Sequence, residues 1–167
     1  VTWWEYADGI IDYMMRIQLL AQAGRFNADV LYYYGDHIPN VAPFKEEDPA
    51  QVLPMYDYDY MNEEILLRLT VRDGRLVAPG TTDYALLVLP DHKVLSLAAL
   101  EKVNELLTAG ATVLGPKPER LVSLSGGQQA RSRFHTLADT LWGQTPDPRG
   151  RRNVGAGTLF WGQTGRR

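Results

Sequence analysis

The 167-residue chain contains no cysteine. That excludes disulfide bridges, thiolate zinc sites, a cysteine nucleophile and redox chemistry at sulfur, while leaving the compartment open, because exported proteins can lack cysteine too. Positive charge is not in excess either: 17 Lys and Arg stand against 20 Asp and Glu, for a formal net charge of −3 and a pI near 5.6. The basic residues are scattered until the tail, so no field gathers phosphates and nucleic acid is not expected as a partner. No apolar run approaches the ~20 residues that span a bilayer. The start lacks the charged-then-apolar layout of a signal peptide, so no membrane partner is expected.

Several catalytic and nucleotide motifs are missing as well. Leu124 to Gln128 reads LSGGQ, the signature of transporter ATPases, yet no G-x-x-x-x-G-K-[ST] loop is present to cradle phosphates. The simpler reading is a flexible turn with a serine available to cap the helix that follows. No G-x-G-x-x-G joins a strand to a helix, since Gly35 is followed by Asp36, His37 and Ile38, which disfavours nicotinamide cofactors. A G-x-S-x-G elbow is absent. Where an amidotransferase would need cysteine after a central strand, Leu89-Pro90-Asp91 stands instead.

What is present reads as one globular unit, with 45% hydrophobic and 22% charged residues. From Tyr6 to Ala23, apolar residues Ile10, Tyr13, Met14, Ile17, Leu20 and Ala21 recur at helical spacing before Gly24. Ala28 to Tyr34 is a short β-branched and aromatic strand. Asp36 to Met55, with four prolines and the cluster Glu46-Glu47-Asp48, reads as a long surface loop. Tyr56 to Tyr60 is a candidate strand, and Asn62 caps a helix to about Leu69. A hairpin is expected around Asp73-Gly74.

The strongest unit runs from Tyr84 to Leu114. The run YALLVL suits a strand buried on both faces, Ser96 starts a helix striped by Leu97, Leu100, Val103, Leu106 and Leu107, and Ala111 to Leu114 is the next strand. A last helix is expected from about Gln128 to Trp142 and a last strand from Thr158 to Trp161. Repeated βα units predict an α/β fold: an open, mostly parallel sheet with right-handed crossovers and helices on both faces, flavodoxin-like in manner.

Loops at the carboxyl ends of strands carry the pairs Asp36-His37 and Asp91-His92, where open α/β sheets place ligands. Such pairs suit a sugar hydroxyl or a metal, against the default of solvated loop residues. Asp57 and Asp59 lie two apart, which in extended chain sets both carboxylates on one side and the tyrosines on the other. Carboxylates so placed suit calcium or hydroxyl binding, and the competing reading is a plain strand with tyrosines inward. Trp3-Trp4 put large rings near the start, for stacking on a sugar or for an interface with a neighbouring domain.

The segments Thr2 to Asp36, Tyr56 to Leu67, Tyr84 to Asp91 and Ala109 to Gly127 together resemble glycoside hydrolase family 106, the α-L-rhamnosidase-like enzymes. The tryptophan pair, the tyrosines before Gly-Asp, YDYDY and GPKP occur in that family's order. The resemblance implies the region after the catalytic barrel, a class I glutamine amidotransferase-like α/β domain. Residues 1–24 would be a helix linking to an absent upstream domain and 25–167 the domain itself. It further implies a parent enzyme that hydrolyses terminal α-L-rhamnosides by an inverting route with calcium assistance, in a periplasmic or extracellular setting. The missing barrel and a rhamnoside substrate are the implied partners, with no cofactor in this segment. The family's catalytic glutamates belong to the barrel, and none maps here, Glu5 included. The start at Val1 and the end at Arg166-Arg167 fit excision from a longer chain. Two other readings stay open: a free-standing sugar- or metal-binding module, and a structural domain whose Trp3-Trp4 helix docks on a barrel or a second copy.

Overall fold

The computed structural model describes residues 3–24, 26–36, 56–80, 83–123 and 125–162. In chain order the strands are β1 (Val30–Tyr33), β2 (Tyr58–Met61), β3 (Thr70–Arg72), β4 (Arg75–Val77), β5 (Asp83–Tyr84), β6 (Leu86–Val88), β7 (Val94–Leu95), β8 (Thr112–Leu114), β9 (Arg120–Leu121), β10 (Gly150–Val154) and β11 (Gly157–Trp161). The helices are α1 (Asp8–Ala23), α2 (Glu63–Arg68), α3 (Leu97–Thr108) and α4 (Gly127–Trp142), and a short 3₁₀ turn covers Trp4–Tyr6.

Six strands form the central sheet in the order β10-β11-β8-β6-β1-β2. All neighbours are parallel except the edge hairpin β10–β11. The chain steps from β1 to β2, then crosses back over β1 to β6, β8 and β11. Crossovers that step in one direction share a face when each is right-handed. Accordingly α2 and α4 each contact α3, and all three pack into a single core with Leu31, Tyr33, Leu87, Val113 and Leu159. Among the described residues α2, α3 and α4 therefore lie on one face of this open, mostly parallel α/β sheet. On the opposite face Val30, Tyr32, Val88 and Leu114 cluster with Tyr58, Tyr60, Leu86 and Phe160.

Local signals explain the element ends. Asn62 Oδ1 accepts the Ile65 N–H at 3.1 Å, and Ser96 Oγ accepts the Ala99 N–H at 3.0 Å, so both side-chain caps form as expected. The α3 stripe buries Ala99, Leu100, Val103, Leu106 and Leu107, and α4 buries Phe134, Ala138, Leu141 and Trp142. The serine cap expected for α4 does not form: Gly126 occupies that position, with φ of 77° and no side-chain cap bond. Ser123 Oγ instead accepts the Ser125 N–H at 3.0 Å, folding the turn on itself. Leu124 lies outside the described residues.

The YALLVL run divides. Tyr84 pairs with Leu76 in the antiparallel sheet β3-β4-β5, Ala85 bends, and β6 continues into the central sheet. Asp73 and Gly74 both hold positive φ, 52° and 76°, the geometry that matches hairpin twist. A parallel pair, β7 with β9, ties the loop after β6 to the loop after β8. Helix α1 differs from the rest, because none of its 16 residues is buried. No helix among the described residues is long and apolar enough to cross a membrane.

Candidate functional site

Parallel strands bring their carboxyl ends to one edge, and over the ends of β1, β6, β8 and β11 lies a cavity of about 1250 Å³. Sheet order reverses between β1 and β6, the place where open α/β folds form a crevice. Gly35 follows β1 with φ of 86°, and a Cβ there would meet His92 Nε2 at 2.5 Å and Pro90 Cγ at 2.9 Å. Glycine thus lets the His92 ring lie against the β1 terminus. His92 Nδ1 accepts the Val94 N–H at 3.3 Å, which fixes the ring's orientation.

Of the six polar residues expected along this edge, the five that are described separate into three positions. Asp91 and His92 line the cavity. Asp36 is committed to the fold: Oδ1 accepts from Tyr33 Oη at 2.6 Å, and Oδ2 accepts from the Ser96 N–H at 2.9 Å. Ser96 Oγ in turn donates to Glu63 Oε1, so β1, α2 and α3 meet in one polar chain. Burial first, then the hydrogen bond and charge of Asp36 and the charge of Glu63, push the Tyr33 phenol far above its ordinary pKa. Tyr33 accordingly stays a donor.

Asp57 lies at the amino end of β2, where its carbonyl accepts the Asp29 N–H at 3.1 Å. Asp59 Oδ2 accepts from Tyr84 Oη at 2.8 Å. The tyrosines Tyr58 and Tyr60 turn to the other side and join Tyr32, with ring centroids 5.1 to 5.5 Å apart. His37 lies outside the described residues. Among the described residues no group of three or more His, Asp and Glu is placed to hold a metal ion.

The cavity also gathers residues that motif reading passed over. Lys117, from GPKP, has all three donors in use: Asp139 Oδ1 at 2.6 Å, Gly143 O at 2.7 Å and Gln144 O at 2.8 Å. It closes the carboxyl end of α4, where a cation offsets the helix dipole. Lys93 Nζ meets Glu119 Oε1 at 2.6 Å, and the lysine holds the Glu119 carboxyl below the usual range. Trp161 donates Nε1–H to Asp147 O at 2.8 Å, and its ring lies where a Gly150 Cβ would come within 2.4 Å. These residues escape a search for catalytic spacing because they come from four separate loops and strand ends. The glycine and prolines of GPKP were the available signal.

Trp3 and Trp4 lie far from such packing. They are 58% and 63% exposed, with ring centroids 6.0 Å apart at 62°. Tyr6, Ile10, Tyr13, Met14, Ile17 and Leu20 continue the exposed apolar surface along α1.

The family model described as alpha-L-rhamnosidase matches residues 1–167. A curated relative from Formosa agariphila, provisionally named a beta-glucuronidase, is 34% identical over 143 residues, covering 86% of this chain and 12% of the relative. The solved rhamnosidase from Novosphingobium sp. PP1Y superposes with a TM-score of 0.72 at 31% identity, covering 94% of this chain and 15% of that one. The chain thus spans only a small part of the length of the proteins it matches.

Proposed function

The chain belongs to the α-L-rhamnosidase family of glycoside hydrolases, and from that premise we propose that it is a non-catalytic α/β domain of a larger enzyme, supporting the hydrolysis of terminal α-L-rhamnosides. The observation that carries this reading is helix α1, whose 16 residues are all unburied although its apolar side chains would stripe a core-facing helix. Protein helices draw most of their stability from packing an apolar face rather than from propensity, so α1 calls for a partner surface. Relatives some six to seven times longer supply the source of one, since 86% and 94% of this chain cover 12% and 15% of theirs. Residues 1–24 then link and dock, and residues 25–167 form the domain, which we assign to the amidotransferase-like type on its β2-β1-β6-β8 strand order. The carboxylates Asp36, Glu119 and Asp139 serve tyrosine, backbone and lysine partners, which supports a framework role over acid–base catalysis.

The test is an assay of the 167-residue chain and of a longer family polypeptide on an aryl α-L-rhamnoside. Turnover is expected from the longer protein alone. Turnover by the chain alone overturns the reading. Replacing Tyr13 and Ile17 by Asp in the longer protein should weaken the association of α1 with its neighbour, seen as faster proteolysis near residue 24.

A further inference from the structure

We propose that the cavity over the carboxyl ends of β1, β6, β8 and β11 binds a neutral oligosaccharide. Its volume of about 1250 Å³ exceeds the roughly 300–1,000 Å³ of ordinary small-molecule sites, so it has room for several sugar rings. Its position at the strand-order reversal is where this class of sheet takes ligands.

The charges in the cavity decide the ligand's sign. Lys117 spends all three donors within the protein, and Lys93 is paired with Glu119. Neither cation is offered to a phosphate or a uronate, and the paired carboxylates Glu119 and Asp139 would repel one. The walls suit an amphipathic ring. Trp161 is fixed by its bond to Asp147 O and by its seat on Gly150, Tyr34 and Tyr60 are half-buried on the opposite side of the opening, and aromatic faces pack against the C–H faces of sugars. Pro90, Pro116, Pro118, Pro146 and Pro148 line the same space. Proline fixes the backbone in advance, which lowers the ordering cost of binding. Asp91, His135 and Gln144 supply both donors and acceptors for hydroxyl groups.

The choice of a rhamnose-bearing ligand rests on the proposed function, but the site does not. The 167-residue chain would be titrated calorimetrically with a neutral rhamnose-containing oligosaccharide, a neutral glucan oligosaccharide, an oligogalacturonate and inorganic phosphate, after circular dichroism has shown each variant folded. Saturable binding of a neutral oligosaccharide is expected, with affinity reduced about tenfold in Trp161→Ala and largely retained in Trp161→Phe. His135→Ala, an exposed change outside the core, should weaken binding several-fold and guards against a fold defect in the tryptophan variant. No heat with either neutral ligand overturns the proposal, as does tighter binding of the galacturonate or phosphate. A preference for the glucan over the rhamnose-bearing ligand keeps the site and counts against the proposed function alone.

Discussion

Tyr84 Oη donates a 2.8 Å hydrogen bond to Asp59 Oδ2, joining β5 of the small sheet to β2 at the far edge of the central one. The tyrosine is buried and the aspartate half-buried. Tyr84→Phe should cost about 1–2 kcal/mol, because it strands a carboxylate that has lost its donor. Combined with Asp59→Ala, the two changes should be sub-additive in urea denaturation. Strict additivity would show that the bond contributes nothing.

Tyr33 predicts an alkaline limit. Its folded pKa lies above the ordinary phenol value near 10, so its contribution is complete below that value and is lost as pH rises toward the folded pKa. Spectrophotometric titration should show one phenol that ionises only as the protein unfolds. Tyr33→Phe should remove it and flatten the loss of stability at high pH.

Acid acts elsewhere. Glu119 has a folded pKa depressed by Lys93, so the ion pair is intact above the ordinary glutamate value and fades as pH falls through the lower one. The pair is exposed, and its disappearance should alter the β7–β9 loops rather than overall stability. Carbon-detected NMR of the Glu119 carboxyl should report a pKa that returns to the ordinary range in Lys93→Met.

Lys117→Met should cost about 2–3 kcal/mol, since Gly143 O and Gln144 O lose a charged donor and Asp139 its partner. Hydrogen exchange should quicken first in the last turn of α4. Unchanged exchange there would rule out the capping role.

Gly35→Ala should destabilise by more than about 1 kcal/mol, because it combines a φ of 86° with a Cβ 2.5 Å from His92 Nε2. His92→Ala removes the collision and should restore part of the loss. Thermal melts of both single variants and the double variant decide it.

How much of this was readable beforehand depends on whether the signal was local. The caps of α2 and α3 announce themselves through Asn62 and Ser96, and the buried stripe of α3 follows from spacing alone. The hairpin is written in Asp73-Gly74. The alternation of YDYDY also gave the correct sides, with tyrosines together and Asp59 apart. Strands of two residues, such as β7 and β9, carry no period to detect. Division of YALLVL at Ala85 depends on partners distant in sequence, Leu76 on one side and Val30 on the other. The cavity was legible only as an edge. Asp91 and His92 were placed there by chain logic, whereas Asp36 was taken up by Tyr33 and Ser96, a use that no spacing in the sequence reveals.

The shared run from Tyr84 to Leu89 bears on how the family can vary in length. Within it Tyr84 and Leu87 face the main core and Val88 the opposite side. Adding or deleting one residue would exchange those sides along all of β6 and break both sheets together. Insertions and deletions among relatives should therefore gather at the hairpin tip near Asp73-Gly74, and the interval from Tyr84 to Leu89 should keep its length even where its side chains change.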